Sequence, residues 1–306
     1  MFPKDYLFSM STKKLIYCLL FLSLSIYCDS LIHKGAKLKL ISSGFKFTEG
    51  PIADKSGNIY FTDQPNDRIM LYKTSGELST FIQPAGRSNG LYFTLDEKLI
   101  ACADEQNELW LIDPKTKKKK VILDSANGKK LNGPNDAWAA PNGGIYFSNP
   151  HYKRPWWTDK SLRQKMQGVY YIAPGSNKTV IADAELVKAN GLIGTPDGKK
   201  LYIADIGDKK TYSYDIKEDG SLVNKQLFCE MGSDGMTIDE KGNVYLTGKG
   251  VHIFNSKGEK IHHIQIKGWT ANICFGGADM KTLFITQQQN FYSLKMNVRG
   301  PGAHFK

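Results

Sequence analysis

The chain has 306 residues, 41% of them hydrophobic, and a formal net charge of +11; this is room for one large domain or two small ones. Its lysines are dispersed, and the one dense run, Lys117 to Lys120, follows Asp113-Pro114 and reads as a solvated turn rather than a nucleic-acid-binding patch. No phosphate-loop, dinucleotide-binding, Ser-His-Asp or Cys-His arrangement is present, which sets those chemistries aside.

At the N-terminus, Lys13 and Lys14 precede an uncharged run from Leu15 to Tyr27, followed by Cys28-Asp29. This is the layout of a secretory signal peptide over residues 1–28, and the run is short of the roughly 20 apolar residues a bilayer span needs. The expectation is an exported protein, periplasmic or secreted. A lipid anchor on Cys28 is the alternative, against which Tyr27 stands where a small residue is expected. Loss of Lys4, Asp5, Lys13 and Lys14 leaves a net charge of +9. Three cysteines remain, Cys102, Cys229 and Cys274, each in an apolar strand-like run. An odd count argues for buried packing residues over a disulfide framework.

From residue 29 onward the apolar runs are short and broken by Gly, Asn and Asp, so strands and tight turns are expected throughout. One pattern returns six times: Asn58-IYFT-Asp63, Leu99-IACA-Asp104, Gly144-IYFS-Asn149, Lys200-LYIA-Asp205, Asn243-VYLT-Gly248 and Thr282-LFIT-Gln287. The closing residues are spaced by 41, 45, 56, 43 and 39. Spacings of this size predict one all-β domain over residues 29–306, a six-bladed β-propeller with four-stranded antiparallel blades. Leu38 to Ser42 is placed to supply a strand to the last blade. The long spacing holds an insertion between Asn149 and Val169 carrying Trp156 and Trp157, the composition of a functional lid.

Counting back 14 or 15 positions from each closing residue gives Glu49, Asn89, Asn135, Asn190, Asp234 and Asn272. Equivalent positions in a propeller converge on its axis. Carboxylates and amides gathered there are costly to bury unless a hard divalent cation satisfies them. The absence of histidine and cysteine from the ring disfavours zinc and copper and favours calcium, with magnesium or manganese behind it and zinc last among the alternatives.

The motifs Phe47-Thr48-Glu49-Gly50-Pro51, Leu131-Asn132-Gly133-Pro134-Asn135-Asp136, Ala189-Asn190-Gly191-Leu192 and Ser233-Asp234-Gly235-Met236 occur in an order that resembles bacterial gluconolactonases of the regucalcin (senescence marker protein) family. The resemblance runs across nearly all of the chain after residue 28. It implies a metal held by Glu49, Asn135, Asn190 and Asp234, and hydrolysis of small sugar lactones. Asp234 is then the candidate general base, or else a ligand only. Asn89 and Asn272 match no usual family ligand and are placed near the channel. Substrate contacts are expected at the rim from Arg87, Asn89, Asp136, His151, Tyr152, Arg154, Trp156 and Trp157, since sugar hydroxyls suit Arg, Asp and Asn while the C–H face stacks on tryptophan. The partner implied is a small-molecule lactone, with no nucleic acid and no obligate protein. Two other readings are a phosphotriesterase of the diisopropyl fluorophosphatase type and a non-catalytic sugar- or protein-binding propeller. His252, His262 and His263 lie in outer-strand contexts and read as structural.

Overall fold

The computed structural model describes residues 31–301; the leader segment read over residues 1–28, Cys28 included, lies outside them. The repeats fold into six four-stranded antiparallel sheets, as the periodicity predicts. Blade 1 runs Thr48–Ala53, Ile59–Asp63, Arg68–Tyr72 and Leu78–Ile82 from the axis outward. Blade 2 runs Ser88–Phe93, Leu99–Ala103, Glu108–Ile112 and Lys119–Leu123. Blades 3 to 5 begin at Ala137–Ala139, Ala189–Gly194 and Met236–Ile238.

Blade 6 takes Asn272–Gly276, Thr282–Gln287 and Asn290–Lys295, and its fourth strand, Lys39–Ser43, comes from the opposite end of the chain. The ring closes by pairing the first strand with the last, so no long edge is left open there. Among the described residues the only helical element is one 3-10 turn, Gln64–Asn66, and no helix is long and apolar enough to cross a membrane.

The second strand of each blade is the recurring motif itself, and it is buried on both faces, as in Ile59–Asp63 and Val244–Gly248. Such strands read as continuous apolar runs because neighbouring blades cover each side. The fourth strands carry more exposed residues, as in Lys119–Leu123. That strand corrects the expectation for the lysine run: Lys119 and Lys120 belong to the outer edge of blade 2, with the Lys119 ammonium 3.9 Å from the Trp110 ring centre. Lysines on an outer strand discourage edge-to-edge pairing.

Four of the six repeat-closing residues, Asp63, Asn149, Asp205 and Gln287, tether their own blades. Asp63 Oδ1 accepts from the Lys46 backbone N–H at 2.9 Å, and Asn149 Oδ1 from that of Gly133 at 3.0 Å. Asp205 accepts from Val187 and Lys188, and the Gln287 amide donates to the Lys267 carbonyl. In these four the bond runs to the loop that delivers the innermost strand of the same blade. The polar residue after the apolar run therefore sets where the axis-facing residues begin. Cys102, Cys229 and Cys274 are buried and unpaired, and burial pushes the Cys229 thiol up to about 11.

Candidate functional site

The six in-phase residues open the innermost strands and converge on the axis. Glu49, Asn89, Asn135, Asn190 and Asn272 are buried, with Asp234 beside them. They are not turn residues. The glycines that follow several of them are required by close approach between blades: a Cβ on Gly90 would lie 2.2 Å from Asp136 Oδ1 and 2.4 Å from the Asn135 carbonyl oxygen, and one on Gly235 would lie 2.0 Å from the Asn272 side chain. Gly90→Ala is therefore expected to cost about 1–3 kcal/mol or more in urea unfolding. A variant as stable as the parent would show that the inner strands can separate.

A cavity of about 260 Å³ opens at this end of the channel, lined by Phe47, Glu49, Asn89, Asn135, Tyr152, Arg154, Ile206, Asp234 and Trp269. Asn190 Nδ2 donates to Asp234 Oδ1 at 2.8 Å and to the Tyr152 hydroxyl at 2.7 Å. Trp269 Nε1 donates to Asp234 Oδ2 at 2.6 Å. Glu49 Oε2 accepts from the Gly50 N–H at 3.1 Å. The Oδ1 atoms of Asn89 and Asn190 are buried and have no hydrogen-bond partner.

Three carboxylates share this interior. Burial, then the charges of Asp234 and Asp136, push the Glu49 carboxyl well above its ordinary range. Burial and the Asp234 charge do the same to Asp136. Asp234 is raised by burial, against which the Trp269 and Asn190 hydrogen bonds and the Arg154 charge act. Like charges this close without a counter-ion are costly, and two unpartnered amide oxygens are costly as well.

A hard cation accepting carboxylate and amide oxygens would relieve both, so the residues fit one. Among the described residues no three His, Cys, Asp or Glu side chains form a metal-holding group, so such an ion has to draw on amide oxygens alongside Glu49 and Asp234. An all-oxygen set suits calcium, magnesium or manganese over zinc.

The expected rim residues separate into those on the cavity and those behind it. Tyr152, Arg154 and Asn89 line it. Asp136 does not reach the rim: it faces inward past the ring, where Asn272 Nδ2 donates to both its oxygens at 3.2 Å. Arg87 is absent from the cavity wall; its guanidinium is used by the Pro65 carbonyl and Glu105, and it stacks 5.1 Å from the Trp156 ring centre. Trp157 is buried, with Nε1 donating to the Asp104 carbonyl at 2.6 Å. His151 is buried against Trp157 at 5.6 Å between ring centres, with Nε2 on the Lys160 carbonyl at 3.1 Å, and burial holds its imidazole below the ordinary range. Both residues shape the insertion from inside.

Asp104 is the anchor of that insertion. Unlike Asp63, Asn149, Asp205 and Gln287 it leaves its own blade's loop, which Asp67 holds instead through the Ala85 and Arg87 N–H groups. Asp104 Oδ2 accepts from Arg154 Nε at 2.5 Å and from Gln64. Arg154 in turn lies 4.8 Å from the Tyr152 ring centre. Burial raises the Asp104 carboxyl while the Arg154 charge lowers it.

Arg154→Met removes the larger opposing charge, so the folded-state pKa of Asp104 rises further. The folded variant then holds a proton that the unfolded chain releases, and the loss of stability grows as pH rises. About 3–5 kcal/mol is expected at pH values above the raised pKa, shrinking toward acid, with equilibrium unfolding across pH as the check. A pH-independent cost would mean only packing was lost.

Trp269, Phe47 and Ile206 were not singled out by the sequence. Trp269 stands three residues ahead of Asn272, and Phe47 two ahead of Glu49, so large residues just upstream of a ring position are the available signal. Ile206 has none: it follows the repeat-closing Asp205 and reads as an ordinary loop residue.

A sequence profile described as the SMP-30/Gluconolactonase/LRE-like region matches residues 47–289. The chain is similar to the gluconolactonase of Zymomonas mobilis, 26% identical over 303 residues, covering 89% of this chain and 85% of that protein. It is similar to the diisopropyl-fluorophosphatase of Loligo vulgaris at 22% identity, covering 79% and 86%. Among solved structures, a gluconolactonase of Xanthomonas campestris superposes with a TM-score of 0.81 at 22% identity, covering 88% and 92%. A calcium-binding regucalcin of Agrobacterium tumefaciens superposes with a TM-score of 0.72 at 19% identity, covering 87% and 95%. At those identities the superpositions establish the propeller fold, and the profile match over most of the chain places this protein in the SMP-30/gluconolactonase/LRE-like family.

Proposed function

We propose that this protein is a divalent-cation-dependent hydrolase of small sugar lactones. The observation that carries the reading is the buried pairing of Glu49 and Asp234 with unpartnered amide oxygens at the floor of a polar-rimmed cavity. The names of the relatives support it. Glu49, Asn135, Asn190 and Asp234 would hold the cation, calcium being the best match to the donor set.

When bound, the cation supplies Lewis-acid polarisation of the lactone carbonyl and charge neutralisation at the developing oxyanion. The residues do the rest. Tyr152, Arg154 and Trp269 line the cavity with polar and aromatic groups, suited to a hydroxylated ring. Asp234 is the candidate base. A water attacks the carbonyl carbon and passes its proton to the Asp234 carboxylate; the ring C–O bond then breaks, and that proton goes to the departing ring oxygen, giving the open hydroxy acid. The Trp269 and Asn190 donors hold the Asp234 carboxylate in place for this transfer. Residues 29–306 are proposed to be the exported form.

The test is acid release by the purified protein from glucono-δ-lactone and a panel of aldonolactones, after chelation and after adding back calcium, magnesium, manganese or zinc. Cation-restored turnover above the spontaneous rate is expected. The similarity to a fluorophosphatase motivates a phosphotriester in parallel. Faster turnover of that substrate than of any lactone would replace the lactonase reading.

A further inference from the structure

Outside the channel, the outer hairpin of blade 5 carries a second convergence of donors. Its strands Gly250–Phe254 and Lys260–Ile264 are antiparallel, and His252 faces His263 directly across the ladder. The two imidazoles stack, with ring centres 4.0 Å apart and planes at 20°. Both Nε2 atoms lie on one acceptor, the Lys249 carbonyl oxygen, at 3.2 Å from His252 and 2.9 Å from His263. We propose that His252, His263 and the Lys249 carbonyl form a second metal site, one that takes a borderline divalent ion such as zinc, nickel or copper.

The spacing is close to that of a coordination edge. Donors each about 2.1 Å from one ion are roughly 3.0 Å apart in an octahedron and 3.4 Å apart in a tetrahedron; the His252 separation of 3.2 Å falls inside that interval and the His263 separation of 2.9 Å at its octahedral end. The nitrogen donors select a different class of ion from the channel. Imidazole suits zinc, copper and nickel, whereas the channel offers oxygen alone.

Room for the nitrogens is provided by Gly250: a Cβ there would lie 2.9 Å from His263 Nε2 and 2.4 Å from the Ile264 carbonyl oxygen. Partial burial, His263 and Lys260 together hold the His252 imidazole below its ordinary range, so it is neutral and able to ligate at neutral pH. In the ion-bound form the single proton of each neutral ring sits on Nδ1, which leaves the Nε2 lone pair for the ion. Lys260 places a positive charge nearby, which limits affinity and favours copper, the strongest binder in the series. His262 alternates onto the opposite face of its strand and takes no part.

The test uses the untagged protein at neutral pH with excess calcium present, titrated with Cu²⁺, Ni²⁺ and Zn²⁺ by calorimetry. One binding event per chain is expected. It should weaken at least tenfold in His252→Gln and, separately, in His263→Gln, and be unchanged in His262→Gln and in Asp234→Asn. Substoichiometric Cu²⁺ should broaden the ring-proton NMR signals of His252 and His263 ahead of those of the other histidines. Binding that survives both substitutions, that is lost in Asp234→Asn, or that is absent in the parent protein would overturn the proposal. None of these readouts depends on lactone turnover.

Discussion

Asp234→Asn is expected to lower kcat/KM on the preferred lactone by on the order of 10³-fold and, in chelator, to raise the melting temperature. The two effects have one origin. Asp234 lies in an interior shared with Glu49 and Asp136, and its charge is among the causes that raise both their pKa values. An amide of the same shape keeps an oxygen for Trp269 to donate to but removes a charge from this group. One pKa unit corresponds to about 1.4 kcal/mol, and each kcal/mol is about 2–4 °C for a domain approaching this size. Steady-state kinetics with calcium and a thermal scan with chelator check the two halves. Activity within tenfold of the parent would remove Asp234 from both the ligand and the base roles. A lower melting temperature in chelator would mean its two hydrogen bonds outweigh the repulsion.

The cation-free protein should also respond to pH in the direction opposite to an ordinary acid-sensitive protein. Glu49 and Asp136 have folded-state pKa values raised above those of the unfolded chain. Their contribution is fully present below the unfolded carboxylate range, about pH 4, and is lost as pH rises through the raised values. In chelator, stability should therefore fall from mildly acidic to neutral pH and beyond. Excess calcium should reverse the trend, adding about 2.7 kcal/mol when free calcium is 100 times its dissociation constant. Urea unfolding at several pH values, with and without calcium, checks this. Glu49→Gln should flatten both dependences. A chelated protein whose stability rises steadily through this range would show that the three carboxylates are not the dominant titrating groups.

The propeller was legible because its signal repeats. Six copies of one short apolar run fix blade number and strand order, and four of the closing residues hold the loop of their own blade, which keeps their phase with the ring regular. Glu49 and Asp234 were legible for the same reason. The cavity walls were harder to read. They come from the one irregular segment, where neither period 2 nor the blade repeat says which aromatic points inward. Hence Trp157 and His151 pack beneath the insertion while Tyr152 and Arg154 face the cavity. Asp104 deserted the role its position implied because Asp67, at a left-handed φ of 55°, already holds that loop. Trp269 belongs to a loop with no motif, and only its contact with Asp234 reveals it.

A cation held on the axis between Glu49 and Asp234 should be directly visible. Crystals grown with manganese, measured for anomalous scattering, test it without reference to any substrate. One strong peak is predicted on the cavity side of the ring, within coordination distance of carboxylate oxygens of both Glu49 and Asp234 and of the Asn190 amide oxygen. An axis free of anomalous signal at saturating manganese, or a peak held only by Asp136 and Asn272 on the far side of the ring, would mean that Glu49 and Asp234 do not hold a cation.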